Sequence, residues 1–346
     1  MPHVTVAHLW RKLDDLSLSP LIASNARFAD SVRSGQRAAS ATGSRVSINA
    51  ERTLRSSMPG ARFRFMMEST TSGPGVQPGE RDPHGAVQLE VVDDHILVLT
   101  VDRVEKKNAF TPKIMAELED GLTRLEDDPD LFVGVLTFAG DHTTAGLEMP
   151  LFFTPQAKAA AAERLAAQSS ARVDPFGLRR RQSKPRITAV QGITFTIGIE
   201  IALAGDIVVA ASDLRMCQLE PKRGLAPLGG ATVRYVQRAG WGNAMYHLLL
   251  ADEFGADEAY RIGLVQEVVE PGKQRDRVIE LARQMLQCSP TALRHTIANA
   301  RIALDQNEPA AIAAIPAMDK VVQATDDFKE GVASFMERRS AKFTGR

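Results

Sequence analysis

Residues 191–206 read QGITFTIGIEIALAGD, and Glu200 is the only charged side chain between Arg186 and Asp206. Ile, Ala, Leu and Gly surround it. A lone carboxylate in such a setting is costly to bury. It is either paired for structure or kept as a carboxyl group with an altered pKa. The same stretch decides the fold. RITAV (186–190) before it and IVVAA (207–211) after it are short apolar runs of strand type. TIGIEIALAG between them reads as a short buried helix. Buried strands alternating with helices indicate an α/β protein.

The pattern continues on both sides. ILVLTVD (96–102) and LFVGVLTFAG (131–140) read as two further strands. Thr111-Pro112 is a helix start, with a capping hydroxyl followed by a first-turn proline. Ile114, Leu118, Leu122 and Leu125 then recur at helical spacing, so 112–126 is an amphipathic helix that DDPD ends. Towards the C-terminus, WGNAMYHLLLADEF, DEAYRIGLV and RDRVIELARQMLQ show helical periodicity. In the last segment Phe328, Val332, Phe335 and Met336 share one face, a stripe suited to core or subunit contact.

The 346 residues are 44% hydrophobic and 24% charged, as in a soluble globular protein. No apolar run approaches the roughly 18 to 20 residues of a membrane span. Lys and Arg number 42 and Asp and Glu 42, so net charge gives no reason to expect nucleic acid or a bilayer as partner. Cys217 and Cys288 have no metal-ligand spacing and fit a reducing compartment. From Met1 to Phe65 the chain is Ser-rich, with ten basic against four acidic residues. That composition is open to two readings. One is an organellar transit peptide, against which Asp14, Asp15, Asp30 and Glu51 argue. The other is a disordered or mis-assigned extension ahead of a start at Met66 or Met67. STTSGPGVQPGERDPHG (69–85) reads as a linker. The expected location is the cytoplasm, or an organelle if the extension is a transit peptide. Between Met149 and Ser183 an Ala-rich, helix-forming run leads to Arg179-Arg180-Arg181. It is either a solvated helix with a surface charge cluster or a cover over a pocket, its arginines open to phosphate groups.

Three elements carry chemistry. Gly192 and Gly198 allow close backbone approach upstream of Glu200, and free N–H groups where a helix opens can hold a developing oxyanion. Glu220, in CQLEPKRG, follows twenty residues after Glu200 and past a strand, so the two meet only through tertiary folding. HTTAGLEM (142–149) is a turn after a strand that can present a backbone N–H; His142 reads as a turn residue. No Ser-His-Asp arrangement, metal cluster, P-loop or GxGxxG stands out.

With GLAPLGGATVR, DEAYRIGLVQEVV and FKEGVASFMERRSAKF following in order, these motifs resemble the crotonase superfamily, specifically the enoyl-CoA hydratase/isomerase family, over about residues 87–346. The resemblance implies an α/β spiral of ββα repeats over 86–275 and a C-terminal helical trimerisation region over 276–346, after an extension and linker at 1–85. It implies acyl-CoA thioester substrates, coenzyme A entering only as part of the substrate, no other cofactor and no metal. It implies homo-oligomers, as trimers or dimers of trimers. It places the catalytic glutamates on Glu200 and Glu220 and the oxyanion-hole N–H groups on Leu147 and Ile197. Lys107, Ala145, Gly146, Met149 and Gly198 are the implied substrate- and CoA-binding positions. Arg338, Arg339 and Lys342 either reach CoA phosphates or end a solvated helix.

Two features depart from the family pattern. Thr196-Ile197-Gly198 stands where a Gly-Gly-Gly run is usual, so the bulk of Phe195 and Ile197 bears on the acyl pocket. Glu148 stands where an aspartate is common. The expected activity is enoyl-CoA hydration. The alternatives are an isomerase, dehydratase or C–C hydrolase or lyase of the same fold, and a non-catalytic scaffold, which has no need of both glutamates.

Overall fold

A computed structural model describes residues 82–159 and 172–346. The extension expected over 1–85 therefore lies outside the described residues up to 81, as does the Ala-rich run at 160–171. Strands β1 (Ala86–Val92) and β2 (Ile96–Asp102) form an antiparallel hairpin at one sheet edge. Asp93 and Asp94 turn it with φ of 50° and 61°, a left-handed conformation that short polar side chains tolerate. From β2 inward the sheet is parallel, in the order β1-β2-β3-β4-β6-β9. Its members are β3 (Val133–Phe138), β4 (Arg186–Val190), β6 (Ile207–Ala211) and β9 (Glu267–Val269). β3 and β4 are buried along their whole length, which is why they read as unbroken apolar runs rather than alternating ones.

A second, smaller sheet orders β5 (Ile193–Phe195), β7 (Arg215–Cys217) and β8 (Phe254–Gly255) as β5-β7-β8. The two sheets arise from one repeated step. The chain leaves β4, turns sharply at Gly192, runs through β5 and enters helix α3 (Ile197–Leu203). Gly192 has φ of +47°, and a Cβ there would lie 2.3 Å from the Asp141 carbonyl oxygen, so only glycine fits. β6 and β7 repeat the step before helix α4 (Ala231–Leu250). After β3 the step is reduced to a single bridge from Thr144 to Thr194. This is the spiral of ββα repeats that the sequence implied.

Helices clamp the main sheet from both faces. On α1 (Pro112–Asp127), Thr111 accepts from the Ile114 N–H at 3.2 Å, and Ile114, Leu118, Leu122 and Leu125 are buried against Leu97, Leu99 and Val101. On the other face Val278 and Ala282 of α6 (Gln274–Met285) pack on Ile96, Val98, Val133 and Ile187. Alternate residues of β2 thus feed opposite cores, as period-two geometry requires. Short helices α2 (Pro150–Phe153) and α5 (Ala256–Arg261) flank the strands. Helices α7 (Pro290–Asp305), α8 (Glu308–Gln323) and α9 (Asp326–Glu337) follow, each started by a side-chain cap from Ser289, Asn307 or Thr325.

α4 differs from the sequence expectation. Periodicity was legible only from Trp241, yet the helix starts at Ala231 and is broken at Gly240 (φ 73°, ψ 164°). The break shifts the phase of the apolar stripe, which hides the first half. Phe328, Val332, Phe335 and Met336 of α9 are exposed rather than core. Among the described residues no helix is long and apolar enough to cross a membrane.

Candidate active site

Three turns converge on one cavity. The first follows β3 and is fastened by Asn108, which is buried. Its amide nitrogen donates to the Ala139 and His142 carbonyls at 2.8 Å each, and its Oδ1 accepts from the Arg103 N–H at 2.8 Å. The Ala145 N–H donates to the Lys107 carbonyl at 2.9 Å. Phe110 and Leu147 then pair as a parallel bridge. The Phe110 N–H donates to Gly146 at 2.9 Å and the Glu148 N–H donates to Phe110 at 3.0 Å. The Leu147 N–H takes no part in either bond. Glu148 pairs with Arg103 at 2.5 Å, which anchors the far end of the turn.

The second turn enters α3. Thr196 has φ of 48° and ψ of −112°, a strained conformation for a β-branched residue. This is the physical reason that a glycine suits the position. Ile197 is the first residue of α3, so its N–H has no acceptor within the helix. The two turns press together. A Cβ on Gly146 would lie 2.9 Å from Thr196 Oγ1, and one on Gly198 would lie 2.5 Å from Thr144 Cγ2. That contact brings Leu147 and Ile197 to the wall of the same cavity. The bulk flagged in the sequence has a place: Ile197 is buried in the cluster that holds Leu118, Leu136 and Phe138. Replacing Thr196 with Gly removes the strain at some cost in chain entropy. The expected result is a net stabilisation of up to about 1 kcal/mol in urea unfolding.

The third turn follows β7. Glu220 opens a 3-10 turn (Glu220–Arg223) that Gly224 ends with φ of 71°. Glu200, Glu220, Leu147 and Ile197 all line a cavity of about 430 Å3. Ala145, Gly146 and Met149 line it as well, and the rest of the wall is largely apolar, with Met115, Phe152, Phe153 and Phe176 prominent. Tertiary folding thus brings together the two carboxylates that sequence spacing kept apart.

Their environments differ. Glu200 is 4% exposed, and its Oε1 accepts from the Ala231 N–H at 3.2 Å. Burial pushes its pKa up, while the Ala231 and Gly229 N–H groups and the Arg234 charge oppose the rise. Glu220 is pushed up to about 7, by burial first and by the charge of Glu200, against a bond from its own N–H. With its amide nitrogen turned toward the carboxylate, Gln218 donates to Glu220 Oε2 at 2.9 Å and Oε1 at 3.2 Å, which favours the charged form. The site therefore holds two carboxyl groups that burial raises above their ordinary range, Glu220 to near neutrality.

Gly229 fixes one of them. A Cβ there would sit 2.4 Å from Glu200 Oε2 and 2.7 Å from Phe176 Cδ1. Gly229→Ala must displace the carboxylate. A shift of about 1 Å at such a group costs on the order of 100-fold in rate, so kcat of the variant is expected to fall by about that factor with an unchanged circular-dichroism spectrum.

Other sequence candidates lie elsewhere. The Lys107 side chain is exposed and outside the cavity wall, and Gly198 serves the packing of the two turns rather than the wall itself. His142 Nδ1 accepts from the Ile193 N–H at 3.3 Å, a turn-fastening role. Arg339 bonds Glu330 at 2.5 Å and Glu337 at 2.6 Å, and Arg338, Arg339 and Lys342 are absent from the wall. Arg180 pairs with Asp127 and Arg181 with Asp305, each at 2.6 Å. Among the described residues no cluster of His, Cys, Asp and Glu is placed to hold a metal. Sequence reasoning missed the three phenylalanines of the wall, Gln218 and Gly229. Only Gly229 carried a signal, in the Gly-Gly pair ahead of α4.

The fold and cavity define a class of protein: an α/β spiral that gathers two carboxyl groups, Leu147 and Ile197 around one largely apolar cavity. Comparison with known proteins then places the chain. The family model described as enoyl-CoA hydratase/isomerase matches residues 92–346. Crotonyl-CoA hydratase of Syntrophomonas wolfei is 31% identical over 255 residues, covering 73% of this chain and 96% of that protein. (E)-benzylidenesuccinyl-CoA hydratase of Thauera aromatica is 32% identical over 263 residues, covering 75% and 99%. A solved structure of a probable enoyl-CoA hydratase/isomerase from Mycobacterium abscessus superposes with a TM-score of 0.69 at 37% identity, covering 75% of this chain and 99% of that one. The chain belongs to the enoyl-CoA hydratase/isomerase family, whose members act on acyl-CoA thioesters.

Proposed function

We propose that this protein is an enoyl-CoA hydratase, adding water reversibly to a 2-enoyl-CoA to give a 3-hydroxyacyl-CoA. The observation that carries the reading is the meeting of Glu200 and Glu220 in one cavity beside Leu147 and Ile197. Conjugation to the thioester makes the β-carbon electrophilic. Glu220, as carboxylate, takes a proton from water while the oxygen bonds to that carbon. Charge moves to the thioester oxygen, where the Leu147 and Ile197 N–H groups receive it; one such donor is worth on the order of 3 to 4 kcal/mol. Glu200 helps to hold the water and exchanges the proton that reaches the α-carbon. The reaction needs no cofactor beyond the coenzyme A of the substrate, and the phenylalanine-rich wall suits an apolar acyl chain.

A second reading, isomerisation of the double bond, is favoured by the Thr196-Ile197 departure at the second donor. A panel of 2-enoyl-CoAs separates the two. Hydration bleaches the enoyl-thioester absorbance and yields a product heavier by one water, whereas isomerisation adds no mass. Absence of hydration across short, medium and aromatic substrates sinks the hydratase reading. The proposal includes assembly as a trimer or dimer of trimers in the cytoplasm, supported by the exposed apolar stripe of α9, and sedimentation tests the assembly.

A further inference from the structure

A second cavity, of about 400 Å3, shares no lining residue with the first. Its walls are the 174–182 loop, the turn from α3 to β6, the first half of α4 and one face of α7. Five arginines line it, Arg181, Arg186, Arg234, Arg238 and Arg301, against three aspartates. The aspartates are committed. Asp305 pairs with Arg181 at 2.6 Å and Asp206 with Arg301 at 3.3 Å. Asp174 accepts from the N–H groups of Phe176, Leu178 and Arg179 at 3.0–3.1 Å.

The other three guanidinium groups donate to backbone carbonyls rather than to carboxylates. Arg186 donates to the Ile201 carbonyl at 2.8 Å, Arg234 to Gly229 at 3.1 Å and to Phe176, and Arg238 to Gly205 at 2.7 Å and Leu203 at 3.2 Å. None of the three forms an ion pair among the described residues. Arg186 is 3% exposed and its Nε has no hydrogen-bond partner; Gln182 is 8% exposed and neither amide atom has one. Burial pushes the Arg186 pKa down to about 10, and the charges of Arg234, Arg301 and Arg238 add to the fall while Asp206 opposes it. Burial lowers Arg234 and Arg238 as well. Cations that outnumber the anions in a poorly solvated site are costly, and planar guanidinium forks match phosphate oxygens in pairs.

We propose that this cavity is a binding site for a phosphate or diphosphate group of a small molecule, held by Arg186, Arg234 and Arg238 with the Gln182 amide as a further donor. The catalytic chemistry does not use it. The probes are inorganic phosphate and pyrophosphate, added to the full chain at constant ionic strength against sodium chloride. A saturable rise in Tm and a matching calorimetric isotherm are expected, with pyrophosphate the tighter ligand.

Ala300 is exposed on α7 and lines the cavity, so Ala300→Glu places a carboxylate there at little cost to the helix. That variant is expected to weaken binding by at least about 10-fold, the size of a lost charge-assisted contact, while its own Tm without ligand matches or exceeds wild type. Val233→Glu, from the exposed face of α4, repeats the test should Ala300→Glu fail to fold. A wild-type response no greater than that to chloride overturns the proposal. So does binding that survives both substitutions, because the ligand then sits elsewhere, as on the surface that receives coenzyme A.

Discussion

Glu220→Gln lowers kcat for hydration of a 2-enoyl-CoA by about 10² to 10⁴, the range of a lost general base, and at the same time makes the protein more stable above neutral pH. The two effects have one cause. Burial holds the Glu220 carboxyl up to about 7, so the wild-type base is half ionised near neutrality and kcat/KM should rise with pH through that value. The linkage has the opposite sign for folding. The folded pKa lies above the unfolded value near 4.5, so the stabilising contribution is full below about 4.5 and is lost as pH rises to about 7. Glutamine does not ionise and escapes that loss. The variant should therefore gain up to about 3 kcal/mol relative to wild type at pH 8 and little at pH 4, measured by urea unfolding. A purely structural Glu220 would give the reverse, with stability lost and the pH–rate profile unmoved.

The parts of the fold that were legible in the sequence are those whose burial is local. β2, β4 and β6 read directly because their residues are buried in continuous runs, and α1 because Thr111-Pro112 marks its start and four apolar residues recur along it. β1 was invisible as a strand: AVQLEVV is an edge whose four central residues, Gln88 to Val91, are all exposed, so neither a buried run nor an alternation marks it. β5, β7 and β9 have three residues each, too short for any period to show. At the site, Glu200 announced itself because a carboxylate among apolar residues is anomalous. Glu220 did not, since a glutamate beside Pro and Lys is ordinary, and only its place in a family pattern singled it out. The packing that makes the cavity work was not legible, because Gly146 against Thr196 and Gly229 against Glu200 are contacts between segments far apart in the chain. The second cavity was hidden for the same reason. Its arginines are spread from residue 181 to 301, and only Arg181 belonged to a visible cluster.

Glu200→Gln is the sharper test of how the two carboxyls divide the work. Its expected effect is also a fall of about 10² to 10⁴ in kcat, and the fold should survive, because the glutamine Oε1 can still accept from the Ala231 N–H at the start of α4. The opposing N–H of Gly229 faces the new amide less well, which costs about 1 kcal/mol at most. The decisive comparison is the double variant Glu200→Gln/Glu220→Gln. Groups that act on one water molecule as a unit are non-additive, so the double variant should be little slower than the slower single variant. Effects that multiply would mean that the carboxyls act in separate steps and do not share a water. Retention of hydration by Glu200→Gln alone would leave Glu200 as a cap for α4 and nothing more. Solvent deuterium entering the α-carbon separates these cases further. Wild type should exchange the α-proton, and Glu220→Gln should retain more of that exchange than Glu200→Gln, because Glu200 is the group assigned to the α-carbon proton and Glu220 the group assigned to water.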